Sequence, residues 1–186
     1  EYFTDLGEVE WAKAAVNSML EKGVISKDET KLFRPNDNVT RAEFVKILVM
    51  ALDIQNETAQ CSLSDISESD WYYPYVAAAY SRGIVLGDNE NRFGAEEFIT
   101  RQDAAVMVYR AVDALNETLE ETKSSVVFDD ASEIDSYAYE PVEKMAKAEI
   151  INGMGNNTFS PKSFTSRAQA VKIIYELTQK MKGAVL

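Results

Sequence analysis

Three arginines carry the chemical interest of this 186-residue chain. Arg41, Arg101 and Arg167 each follow a hydroxyl residue (Thr40, Thr100, Ser166) and stand two residues before an acceptor (Glu43, Asp103, Gln169). A hydroxyl with an acceptor three positions on is the signature of a capped helix start, so capping accounts for those two positions. It does not account for the arginine. A cation in the first turn opposes the helix macrodipole, at about 0.3–1 kcal/mol. One explanation is an ion pair to a neighbouring part of the chain, with Asp5, Asp65 and Asp130 as candidate acids. The other is a guanidinium beside free helix N–H groups, which together would receive a carboxylate or a phosphate.

A second set of residues keeps step with the first. Trp11, Trp71 and Tyr137 each lie 30 residues ahead of their arginine. An aromatic on an apolar helical stripe is ordinarily core, yet an indole is seldom fully buried and its face suits the apolar face of a sugar ring.

Other chemistry is poorly served. The chain has no histidine and one cysteine, Cys61, which leaves no general base of the common kind, no intrachain disulfide and no zinc site. Carboxylates abound without a distinctive pair, so no catalytic residue, metal site or cofactor is expected. A formal charge of −12 argues against nucleic acid as a partner. No apolar run approaches the ~20 residues of a membrane span.

The elements that must position these residues repeat. FRPNDNVTRAEF (33–44) recurs as FGAEEFITRQDA (93–104) and FSPKSFTSRAQA (159–170). FTDL, LSDI and FDDA stand upstream, and EKGV, SRGI and KAEI lie between aromatic and arginine. Each repeat reads as helix, loop, helix. The first helix carries Trp11, Ala15, Val16 and Met19 at helical spacing and stops near Gly23, as its counterpart stops near Gly83. The second starts at Thr40 and buries Phe44, Ile47, Leu48 and Ala51, a stripe matched by Ala104, Met107, Val108 and Ala111, then by Ala170, Ile173, Ile174 and Leu177. The predicted fold is all-α, with repeats over 1–55, 60–116 and 125–182 forming one cooperative unit. The three matching stripes suggest pseudo-threefold packing around a shared axis. The extra residues of the third repeat fall in a polar linker near 116–125.

Motifs, order and spacing together resemble the S-layer homology family over essentially residues 1–182. The resemblance implies a non-catalytic, extracellular module that anchors surface proteins to secondary cell-wall polysaccharide, commonly pyruvylated. It implies a pseudo-threefold unit whose second helices form a central three-helix bundle, and ligand grooves between adjacent repeats, with Arg41, Arg101 and Arg167 holding a carboxylate. Trp11, Trp71, Tyr137, Asp5, Asp65, Asp130, Gly23 and Gly83 are the other expected glycan-site residues. The alternative is a structural module that contacts neighbouring subunits of a surface lattice. The third repeat departs most, with Tyr137 for tryptophan and Glu149 for glycine. A carboxylate there would repel an anionic ligand. Arg41 and Arg101 are therefore expected to matter more than Arg167.

Overall fold

The computed structural model describes residues 2–181. Six helices follow one another: α1 (Glu10–Glu21), α2 (Arg41–Ala51), α3 (Tyr73–Ser81), α4 (Arg101–Ala114), α5 (Tyr139–Lys147) and α6 (Arg167–Lys180). Short 3₁₀ turns at Leu6–Val9 and Ala131–Glu133 precede α1 and α5. Among the described residues there is no strand, so the all-α expectation holds.

Caps set the helix starts. Thr40 Oγ1 accepts the Glu43 N–H at 3.2 Å, and the Glu43 carboxylate accepts the Thr40 N–H at 2.9 Å. Ser166 and Gln169 form the same reciprocal pair. At α4 only half of the box forms: Thr100 accepts from the Asp103 N–H, but the Asp103 carboxylate is turned elsewhere. At the far end of α1, Gly23 adopts φ +72° and the Val24 N–H returns to the Met19 carbonyl at 2.9 Å. This left-handed cap suits glycine because it has no Cβ to clash. Glu149 holds the equivalent conformation after α5, at φ +57°.

Packing does not follow the sequence repeat. Each first helix packs on the second helix of another repeat: α3 on α2, α5 on α4, and α1 on α6. The chain's first helix is thereby held by its last. The second helices also meet one another through α2–α6 and α4–α6 contacts. They are buried more widely than a single stripe requires, since Ala42, Val45 and Val49 join Phe44, Ile47, Leu48 and Ala51 in the core. Helices with neighbours on several sides need apolar residues on several sides. In α1 the buried stripe is Ala12, Ala15, Val16 and Met19. Trp11, expected to belong to it, lies outside.

A small ring of backbone bonds joins the repeats just ahead of the second helices. The Val39 N–H donates to the Thr165 carbonyl at 3.1 Å, Ile99 to Val39 at 3.0 Å, and Thr165 to Ile99 at 2.9 Å. Three loops thus close head to tail. All three residues are fully buried, and the Thr165 hydroxyl has no hydrogen-bond partner there. The polar linker is tied down as well, because the N–H groups of Thr122 and Lys123 both donate to the Lys147 carbonyl.

Candidate functional site

Each arginine reaches across a junction into the loop of another repeat. Arg41 Nε donates to the Phe93 carbonyl at 2.9 Å, Arg101 Nε to Phe159 at 2.8 Å, and Arg167 Nε to Phe33 at 2.9 Å. The guanidinium lies over the ring of that same phenylalanine, 4.8, 5.0 and 5.2 Å from the centroid respectively. A directional hydrogen bond and a cation–π contact then outweigh the modest dipole penalty.

Two expectations about these arginines need correction. The helix N–H groups beside them are not free. The first two of each second helix donate to loop carbonyls of the next repeat: Arg41 to Glu97 at 2.8 Å and Ala42 to Ala95 at 2.9 Å, Arg101 to Ser163 and Gln102 to Pro161, Arg167 to Asp37 and Ala168 to Pro35. The third N–H is taken by the capping hydroxyl, so no helix-terminal anion receptor remains. Nor do Asp5, Asp65 and Asp130 form ion pairs with the arginines. Each aspartate instead clamps the repeated loop through both oxygens. Asp5 accepts from Phe33 and Arg34, Asp65 from Phe93 and Gly94, and Asp130 from Phe159 and Ser160, at 2.7–2.8 Å throughout. Burial raises the Asp130 carboxyl pKa, but the N–H bonds from Phe159 and Ser160 outweigh it and the net shift is downward.

The aromatics are exposed, not core: Trp11 52%, Trp71 53% and Tyr137 54%. They flank three surface grooves, and each groove draws on all three repeats. The first joins Arg167 to the 24–28 loop, to Glu43 and Lys46 of α2, and to Trp71. The second joins Arg41 to the 86–89 loop, to Asp103 and Arg110 of α4, and to Tyr137. The third joins Arg101 to the 150–154 loop, to Gln169 and Lys172 of α6, and to Trp11. No arginine shares a groove with the aromatic 30 residues ahead of it, because the first helices have moved onto other repeats. Gly23 and Gly83 close helices just before the groove loops, and a Cβ at either would meet nothing within 4 Å. Their positive φ is sufficient reason for glycine. Glu149 is paired with Lys123 at 3.0 Å, so its charge is answered locally.

The grooves differ in charge. Arg41 Nη1 is held by Asp103 at 2.9 Å, and the Tyr137 hydroxyl donates to the other oxygen of that carboxylate at 2.8 Å. Burial and the Asp103 charge push the Tyr137 phenol upward. Arg167 Nη1 faces Glu43 at 3.7 Å. Arg101 is 3% exposed, and among the described residues no carboxylate pairs with it. Burial brings its pKa down to about 10, with Asp130 partly opposing the shift. Lys46 and Lys172 were not singled out from sequence. Their equivalence at matching repeat positions, interrupted by Val106, was the available signal.

The S-layer homology domain matches at residues 2–45, 62–105 and 127–171. The chain belongs to the S-layer homology family, as three tandem repeats. It is 34% identical over 178 residues to an amylopullulanase of Thermoanaerobacterium thermosulfurigenes, covering 96% of this chain and 10% of that protein. It is 33% identical to the exoglucanase XynX of Acetivibrio thermocellus over 96% of this chain and 16% of that protein. S-layer protein EA1 of Bacillus anthracis is 30% identical over 97% of this chain and 20% of its own length. The chain spans a tenth to a fifth of these relatives. It is a cell-surface anchoring module of the S-layer homology kind, with S-layer proteins among its relatives. No helix among the described residues is long and apolar enough to cross a membrane.

Proposed function

We propose that this module holds its parent polypeptide at the cell wall by binding, without catalysis, a secondary wall polysaccharide that bears carboxylates such as pyruvate ketals. The observation that carries the reading is the juxtaposition of a guanidinium with an exposed aromatic in each groove. A planar cation suits a carboxylate, and an indole or phenol face suits the apolar face of the sugar that carries it. Lys46, whose Nζ lies 5.8 Å from the Trp71 ring centroid, adds a second cation where ring and acid would meet. Local cations reconcile an acidic protein with an anionic polymer, because charges beyond about 8–10 Å are screened.

The test is co-sedimentation with protein-free wall sacculi before and after chemical removal of the polysaccharide. Binding that vanishes with the polymer supports the reading, and binding that persists on bare peptidoglycan overturns it. A second reading, contact with neighbouring lattice subunits, draws on Phe98 and Phe164, whose rings lie 5.4 Å apart at a 58° tilt and are about half exposed. Self-association in the absence of walls would favour it.

A further inference from the structure

Position 154 departs from its counterparts in the other groove loops. The equivalent residues are Asp28 and Asp88, and each closes its own loop through a carboxylate oxygen. Asp28 accepts the Lys31 N–H at 3.0 Å, and Asp88 accepts the N–H groups of Glu90 and Arg92 at 2.8 and 2.9 Å. The third loop closes through backbone bonds instead: the Met154 N–H donates to the Thr158 carbonyl at 2.8 Å and the Thr158 N–H to the Gly155 carbonyl at 2.9 Å. The side chain at 154 is thereby released from loop closure, and it is a methionine, 50% exposed.

The other five methionines are less accessible. Met19, Met107, Met145 and Met181 are buried, and Met50 is half-buried, its sulfur accepting from the Gln55 amide at 3.1 Å. Met154 and Trp11 are the two exposed large apolar side chains that line the groove of Arg101. The Met154 sulfur accepts from Gln169 Nε2 at 3.3 Å, while Oε1 of the same amide accepts the Ser166 N–H at 3.1 Å. A thioether is a weak acceptor, so this amide donor is poorly used until an oxygen is added to the sulfur.

We infer that Met154 is an oxidation site that controls this groove, with hydrogen peroxide as the oxidant. The sulfur lone pair attacks one peroxide oxygen, and an S–O bond forms as the O–O bond breaks. The departing hydroxide takes the proton of the transferred hydroxyl and leaves as water. Sulfur loses two electrons and the peroxide gains them. The sulfoxide sets a strong acceptor beside the Gln169 amide and a polar oxygen where the groove was apolar. The apolar face of a sugar would then meet Trp11 without its second apolar neighbour. The inference rests on the glycan reading above and adds a reversible control to it, since sulfoxide reductases restore the thioether. The other two grooves, with Asp28 and Asp88 at this position, have no such switch there.

The test is mild hydrogen peroxide treatment of the folded whole chain, read by peptide mapping with mass spectrometry and by co-sedimentation with protein-free wall sacculi. The expected result is a single added oxygen on Met154 well before the other methionines gain any. The sacculus concentration for half-maximal binding should rise about threefold or more, the scale of setting one polar group against apolar surface. Methionine sulfoxide reductase should reverse that rise. Met154→Leu keeps the side-chain volume and removes the sulfur, and its binding should be the same before and after peroxide. Oxidation spread evenly over several methionines overturns the inference. So does a selectively oxidised chain that binds as well as the untreated one, or an equal peroxide effect in Met154→Leu. An untreated chain that does not bind sacculi overturns the glycan reading and the control of binding with it, while the peptide map still decides whether Met154 is the oxidation site.

Discussion

The guanidinium of Arg167 lies 5.2 Å from the ring centroid of Phe33, and its Nε–H is donated to the carbonyl of that same residue. These residues are 134 positions apart, so this contact closes the last repeat onto the first. The same contact at the other two junctions makes the arginine a clasp between repeats as well as a candidate ligand group.

Truncating the clasp should destabilise the fold, contrary to the simpler expectation that relieving the dipole penalty would leave it untouched. Arg167→Ala removes one hydrogen bond and one cation–π contact at a partly buried site and should lower the unfolding free energy by about 1–3 kcal/mol. Arg167→Lys should recover little, since an ammonium lacks the planar donor edge. Urea unfolding of both variants measures it; equal stability of all three proteins would show that the clasp contributes nothing.

Thr165 sits where the other repeats place Val39 and Ile99, and its buried hydroxyl lacks a partner. Thr165→Val keeps the shape and removes the unsatisfied group. It should raise stability by about 1–2 kcal/mol, seen as a higher melting temperature. A lower one would mean that the hydroxyl has a partner in solution.

Residues 1–55 alone should not fold. In the whole chain α1 packs on α6 and α2 on α3 and α6, so this fragment would retain both helices and lose their main partners. Stacked repeats depend on their neighbours for burial. Circular dichroism should give mostly coil, and a cooperative helical melt would refute the shared core.

Acid should unfold the protein within a narrow range. The Asp135 carboxyl is held low by hydrogen bonds from Lys162 and then Gln102, Glu149 by Lys123 and Thr122, and Asp130 by the backbone N–H bonds that overcome its burial. A folded-state pKa below the unfolded value, about 3.9 for Asp and 4.3 for Glu, means the unfolded chain binds more protons in the interval between them. The stability these groups give is complete above that interval and is lost as pH falls through it. Melting temperature should be level from about pH 7 to 5 and drop below about pH 4. A decline beginning near pH 6 would point to other groups.

The repeat, the helix type and most caps were legible in the sequence, because hydroxyl–acceptor spacing and apolar periodicity are local properties of the chain. So were the identities of the recurring arginines, aromatics and aspartates. What only the tertiary structure decided was which of them meet. Trp71 and Arg167 share a groove although 96 residues separate them, because α3 buries its apolar face on α2 rather than on the helix that follows it. The aspartates read equally well as salt-bridge partners or ligand residues until the loop supplied two N–H groups to each. Gln169 looked like a third capping residue no different from Glu43. Only the fold brings it into the groove that Arg101 lines, from 68 residues earlier in the chain.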